Sequence, residues 1–85
     1  LEDADIMRPA HRRVYVWDNE PRNSQIVSHL RVAVRLGESV VIWPRRYPKD
    51  INDMVRTGID VNTVLPKRTF QGLFAELELA AWLKP

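Results

Sequence analysis

Eighty-five residues, 45% of them apolar and 28% charged, make one small globular unit or part of one, and that balance excludes disorder along the whole chain. The lack of cysteine excludes disulfide frameworks, thiolate zinc sites and cysteine nucleophiles together. A net charge of +2 is too small for a protein that binds nucleic acid by bulk charge, although Arg outnumbers Lys ten to three. Guanidinium groups favour bidentate phosphate contacts, but ordinary usage on a solvated surface is the better account of their number taken by itself. No apolar run approaches the ~20 residues needed to span a bilayer, and Leu1-Glu2-Asp3-Ala4-Asp5 lacks the pattern of a secretory signal.

Residues 1–13 show no period and contain Pro9, so they read as an irregular lead-in to a domain over 14–85. Val14-Tyr15-Val16-Trp17 is β-branched and aromatic without polar alternation, the pattern of a strand buried on both faces. A polar turn, Asp18 to Asn23, leads to a helix capped by Asn23 or Ser24. Ile26, Val27, Leu30, Ala33 and Val34 share one face of that helix, and Gly37 stands where a left-handed C-terminal cap is expected. Val40-Val41-Ile42-Trp43 reads as a second buried strand, stopped by Pro44. Strand, helix and strand within about thirty residues form a βαβ unit with parallel strands. Arg45 to Lys49 is a basic loop, after which Asp50 caps a short helix ending at Val55 or Arg56 and closed by Gly58. Asp60 to Leu65 reads as another short helix before Pro66. Thr69 is the expected cap of a last helix, Phe70 to Lys84, apolar around much of its circumference and suited to burial on more than one side. The fold class is α/β, a small parallel βαβ sheet with additional C-terminal helices.

Both strands run out into polar loops, so the two loops share the carboxyl edge of the sheet, where ligands of open α/β folds bind. Asp18 and Glu20 follow the first strand; Asp50 and Asp53 follow the second. Parallel strands ~4.8 Å apart allow such loops to converge on one ion. Converging carboxylates repel unless a cation neutralises them, and Mg²⁺ suits one or two carboxylates with waters and phosphates as its other ligands. Taken singly, each cluster is explained as well by a turn or a helix cap; taken together at one edge, they favour a metal site. His11 and His29 lack partner spacing, and His29 reads as solvated. Ser24 and Ser28 lack nucleophile-elbow glycines, and three glycines in all leave no phosphate-binding glycine loop. Tyr15, Trp17 and Trp43 read as core. Tyr47, between Arg46 and Lys49, is either a base-stacking residue or an exposed loop residue.

Val14 to Glu20 resembles the strand and acidic pair of the Toprim fold shared by bacterial-type primases and topoisomerases, usually written Asp-x-Asp. Lys49-Asp50-Ile51-Asn52-Asp53 resembles the later acidic motif of Toprim primases. Asp-Asn-Glu-Pro-Arg-Asn with Trp-Pro and Lys-Asp-Ile-Asn-Asp-Met is similar to primases of T-even-like phages in particular. The resemblance covers residues 14 to about 75. It implies Asp18, Glu20 and Asp50 as catalytic metal ligands for Mg²⁺, with Asn52 and Asp53 supporting them. It also implies joining of ribonucleotides on a single-stranded DNA template, in the cytoplasm of a bacterial host and alongside a replicative helicase. Arg45, Arg46 and Lys49, by position and charge, are candidates for template or triphosphate contacts.

Three features depart from the family pattern. Glu20 replaces the second Asp, Pro21-Arg22 stands where a glycine is common, and no strand ending in Glu-Gly precedes residue 14. The expectation is a Toprim-like fragment, inactive by itself for want of that glutamate. The competing reading is a non-catalytic module of the same fold that contacts DNA or a replication protein such as the helicase. A response-regulator phosphoacceptor ranks below both, because Lys49 lies in the wrong context for it. Affinity for Mg²⁺ separates the first two readings.

Overall fold

The computed structural model describes residues 13–84; the expected lead-in, His11 included, lies outside the described residues except for Arg13. Within them, three strands, β1 (Val14–Tyr15), β2 (Ser39–Val41) and β3 (Thr69–Phe70), form one sheet in the order β1-β2-β3. Four helices accompany them: α1 (Ser24–Arg35), α2 (Ile51–Arg56), α3 (Val61–Lys67) and α4 (Gly72–Leu83). β1 and β2 are parallel, with Val14 opposite Ser39 and Tyr15 opposite Val40, so the βαβ unit is present as the periodicity implied. β3 runs antiparallel to β2, pairing Phe70 with Val40 and Thr69 with Val41, and the sheet is mixed.

The central strand divides the core by simple alternation. Val40 and Ile42 face a cluster built with Leu30, Ala33 and Val34 of α1 and Ala75, Leu79 and Trp82 of α4. Val41 and Trp43 face the opposite way, onto Met54 of α2, with Tyr47, Ile59, Val64 and Leu65 packed around them. Helices therefore cover both faces of β2, and its residues are all buried.

The first strand differs from expectation. Val14 and Val16 are 48% and 40% exposed, whereas Tyr15 and Trp17 pack against the α1 side of the core. β1 pairs with β2 alone among the described strands, and only one of its faces is covered, so an all-apolar run became a half-buried edge strand. The stretch expected to open the last helix also differs. The Thr69 hydroxyl donates to the Leu65 carbonyl at 2.7 Å instead of capping α4, Gln71 occupies the cap position with its side-chain amide donating to the Gly37 carbonyl and not capping the helix, and α3 continues through Pro66 to Lys67. Arg68 extends the β2–β3 pairing: its Nε donates to the Ile42 carbonyl at 2.9 Å, and its NH2 group meets Glu78 of α4 at 2.8 Å.

Local signals governed the helix ends. The Asn23 side chain accepts from the N–H groups of Gln25 and Ile26, and the Asp50 side chain from that of Asp53. At the other end of α1, Glu38 N–H reaches the Ala33 carbonyl and Gly37 N–H the Val34 carbonyl, with Gly37 at φ 80°. That pair of bonds satisfies carbonyls the helix leaves open and requires a left-handed residue, which glycine adopts without a Cβ clash. α4 is apolar on all sides, yet only Ala75, Leu79 and Trp82 are buried; Leu73, Phe74 and Leu77 are 60–75% exposed. Burial on more than one side is not met among the described residues.

Candidate functional site at the carboxyl edge

The ends of β1 and β2 are tied together by bonds that no local pattern announces. The Trp43 indole N–H donates to the Trp17 carbonyl at 2.9 Å, joining the residues at which the two extended segments end. Two residues on, the Asn19 backbone N–H donates to the Lys49 carbonyl at 2.6 Å. The Asn19 side-chain amide donates to the carbonyls of Pro44 and Tyr47, both at 2.9 Å, with Arg45 O more distant at 3.4 Å. Its oxygen accepts the Trp82 indole N–H at 2.8 Å. Asn19 is 6% exposed, so each of these bonds satisfies a group withdrawn from water. One asparagine thus fixes the basic loop, the acidic loop and the last helix against one another.

Because Asn19 turns inward, the acids on either side of it remain on the outer side of the loop. Asp18 is exposed, and Glu20 is half-buried. Glu20 lines an open cleft of about 480 Å³ with Asn19, Pro21, Arg22, Asn23 and Lys49. The Asp18–Glu20 loop and the Lys49 end of the basic loop therefore share one edge, as the parallel βαβ pattern required. Asp50, next to Lys49, has one carboxylate oxygen engaged in capping α2 at 2.8 Å, which leaves the other. Asp53 lies one turn along α2, 3.7 Å from Arg56. Among the described residues no three acidic or histidine side chains gather closely enough to hold one metal ion. Of the three acids expected to share one cleft, Glu20 lines it, while Asp18 and Asp50 are not among its lining residues.

The other candidates are distributed as follows. Arg45 donates to the Lys84 carbonyl at the end of α4. Arg46 lies over the Tyr47 ring, 5.7 Å from its centre, and Tyr47 itself is half-buried against Trp43 and Met54. Tyr47 is thus a packing residue in this structure, not an exposed loop residue. Lys49 is exposed at the cleft, and Asn52 is exposed on α2. His29 is exposed but not isolated: its ring stacks on Trp17 at 5.8 Å, and Trp17 stacks on Tyr15 at 5.5 Å. Sequence reasoning passed over Asn19 and Arg22. A buried asparagine between two acids has no periodic signature, and Arg22 stood out only as a departure from a glycine.

No family model matches the chain. Among curated proteins, it aligns over 88 residues with the DNA primase of Enterobacteria phage T4 at 32% identity, an alignment that takes in 96% of this chain. The chain is similar to a segment of a phage DNA primase. It spans 26% of that primase's length, so the likeness concerns about a quarter of the larger protein. No helix among the described residues is long and apolar enough to cross a membrane.

Proposed function

We propose that this chain is a Toprim-type segment of a phage-type DNA primase, contributing the acidic edge used in Mg²⁺-dependent primer synthesis on single-stranded DNA. The observation that carries the reading is the tie through Asn19, which holds the Asp18–Glu20 loop and Lys49 at one sheet edge in a chain similar to a primase. Asp18 and Glu20 would hold the ion, and Asp50 keeps one carboxylate oxygen beyond its capping bond. The ion, when bound, supplies positive charge that offsets the phosphates and lowers the pKa of an attacking hydroxyl. The residues of this chain contribute fixed position: Asn19 immobilises the loop backbone, so the two carboxylates lose little further freedom on binding. Lys49, Arg45 and Arg46 add cationic groups on the same loop, suited to template or triphosphate.

Two measurements test this. Mg²⁺ titrated into the chain should change the fluorescence of Trp17, which directly precedes Asp18, and Asp18→Asn should abolish the change. In the full-length protein, Asp18→Asn should abolish primer synthesis with the fold intact, since a lost carboxylate is felt most when charge develops in the transition state. A folded Asp18→Asn protein that makes primers at the original rate would overturn the assignment. In that event the non-catalytic binding module, docking DNA or a replicative helicase, becomes the better reading.

A further inference from the structure

The fold uses only part of the apolar surface of α4. Its inner stripe, Ala75, Leu79 and Trp82, is buried in the core, and Glu78 is held by Arg68 at 2.8 Å. Its outer stripe, Leu73, Phe74 and Leu77, stays in water. Leu73, Leu77 and Ala80 stand at i, i+4 and i+7, so they share one helix face, and Ala80 also lines a groove of about 350 Å³ between α4 and α1. The exposed stripe therefore continues into the groove, whose apolar lining includes Val34, Leu79 and Leu83. Arg31 and Arg35, one turn apart on α1 and both exposed, stand along one wall; Glu76 is the single charge on the other. The three exposed side chains amount to roughly 400 Å² of apolar surface, within the range of the largest patch an ordinary monomer leaves in water. A stable interface between separate molecules takes about 800 Å² from each. The patch suits a tethered helix instead, because an effective concentration in the millimolar range offsets a small contact area. This chain spans 26% of the primase it resembles, so most of a protein of that kind lies outside these residues.

We propose that α4 and the groove beside it form a docking surface for an amphipathic helix of the same polypeptide. That helix lays an apolar stripe on Leu73, Phe74 and Leu77 and turns acidic side chains toward Arg31 and Arg35. The apolar contact supplies the adhesion, and the two guanidinium groups, which take carboxylates bidentately, set the register. Glu76 repels an acid placed on the opposite wall, so the charges also fix which way round the helix lies. The inference rests on the proposed function only in taking the chain as a segment of a longer primase-type protein; the surface itself stands on α4 and the groove. Docking here reaches the carboxyl edge. On its inner side α4 donates the Trp82 indole N–H to Asn19, and its Lys84 carbonyl accepts from Arg45. A helix covering the outer side holds α4 in place and, through these bonds, steadies the acidic and basic loops.

In the full-length protein, Leu77 is replaced by photoreactive benzoylphenylalanine, and the cross-linked peptides are identified by mass spectrometry. The expected partner lies in the same polypeptide outside these 85 residues and carries apolar residues at helical spacing beside Asp or Glu. Arg31→Gln with Arg35→Gln should lower the cross-link yield by about tenfold, the scale of a lost charge-assisted contact. Arg56→Gln, exposed on α2, should leave the yield unchanged. Amide exchange gives a second reading. The amides of α4 should exchange at least about tenfold more slowly in the full-length protein than in the 85-residue chain, and Leu73→Gln with Leu77→Gln should remove that difference. Cross-links between two copies, to another protein or to a segment without acids overturn the proposal. So do the absence of any cross-link, equal yield after loss of both arginines, and equal exchange in the two proteins. Neither readout depends on primer synthesis, and Asp18→Asn in parallel keeps the two failures apart. Primers made at the original rate with the cross-link in place remove the primase reading and leave the surface. Primers abolished with no cross-link in any variant remove the surface and leave the carboxylates.

Discussion

Replacing Asn19 tests whether one side chain holds the carboxyl edge together. Asn19→Ala deletes two good donor bonds, to the Pro44 and Tyr47 carbonyls, and the acceptor for the Trp82 indole. Of the groups left behind, the Trp82 indole is buried and the two carbonyls partly so, and an unsatisfied buried polar group costs about 1–3 kcal/mol. Neighbouring losses do not add fully, and water entering the space recovers part, so the expected destabilisation is about 3–5 kcal/mol. An 85-residue chain at roughly 0.05–0.15 kcal/mol per residue has a total stability of about 4–13 kcal/mol. The single change should therefore remove a large share of the stability. Asn19→Asp sharpens the test: it keeps an acceptor for Trp82 but turns a carboxylate toward two carbonyl oxygens, so it should be no better than alanine. Urea unfolding followed by tryptophan fluorescence measures both, since Trp43 and Trp82 bond within this region. The midpoint should fall with the slope unchanged. Losses below about 1 kcal/mol for both variants would show that the loops are held by packing and that the Asn19 network is incidental.

Further outcomes are expected at other positions. Asp50→Ala should cost about 1 kcal/mol by uncapping α2, whereas Asp50→Asn, which caps equally well, should leave urea stability within a few tenths; reduced primer synthesis in Asp50→Asn alone would then belong to lost charge. Arg68→Met should cost about 1–3 kcal/mol, because it breaks the bonds to the Ile42 carbonyl and Glu78 in a half-buried setting, and thermal unfolding reads it. Leu73→Gln with Leu77→Gln should change stability by less than about 0.5 kcal/mol per site, as both side chains are mostly exposed, and a large loss would place them in a core.

The helices were legible in the sequence to within a residue or two wherever their signals are local. Asn23, Gly37, Asp50, Gly58 and Asp60 act on groups within a few positions of themselves, so caps and stops declare α1, α2 and the start of α3. β2 was legible because burial on both faces demands an apolar run, and the parallel pairing followed from the helix between two strands. The candidate site was legible as an edge: acids after both strands meant that the two loops had to be neighbours.

Tertiary structure decided the remainder. β3 is two residues long, and Thr69-Phe70 becomes a strand only because the free edge of β2 offers it hydrogen bonds. β1 carries the same kind of apolar run as β2, yet its exposure depends on how many neighbours stand beside it, which composition does not encode. The roles of the edge residues follow the same rule. Asn19 bonds to carbonyls 25 and 28 positions away and to an indole 63 away, and contacts at that separation leave no period to read. Asp18, Glu20 and Asp50 carry equivalent charge in the sequence; the structure sets them apart, engaging Asp50 at a helix cap and leaving Glu20 in a cleft with Arg22 and Lys49. Local chemistry chose the elements, and long-range hydrogen bonding chose which side chains face one another.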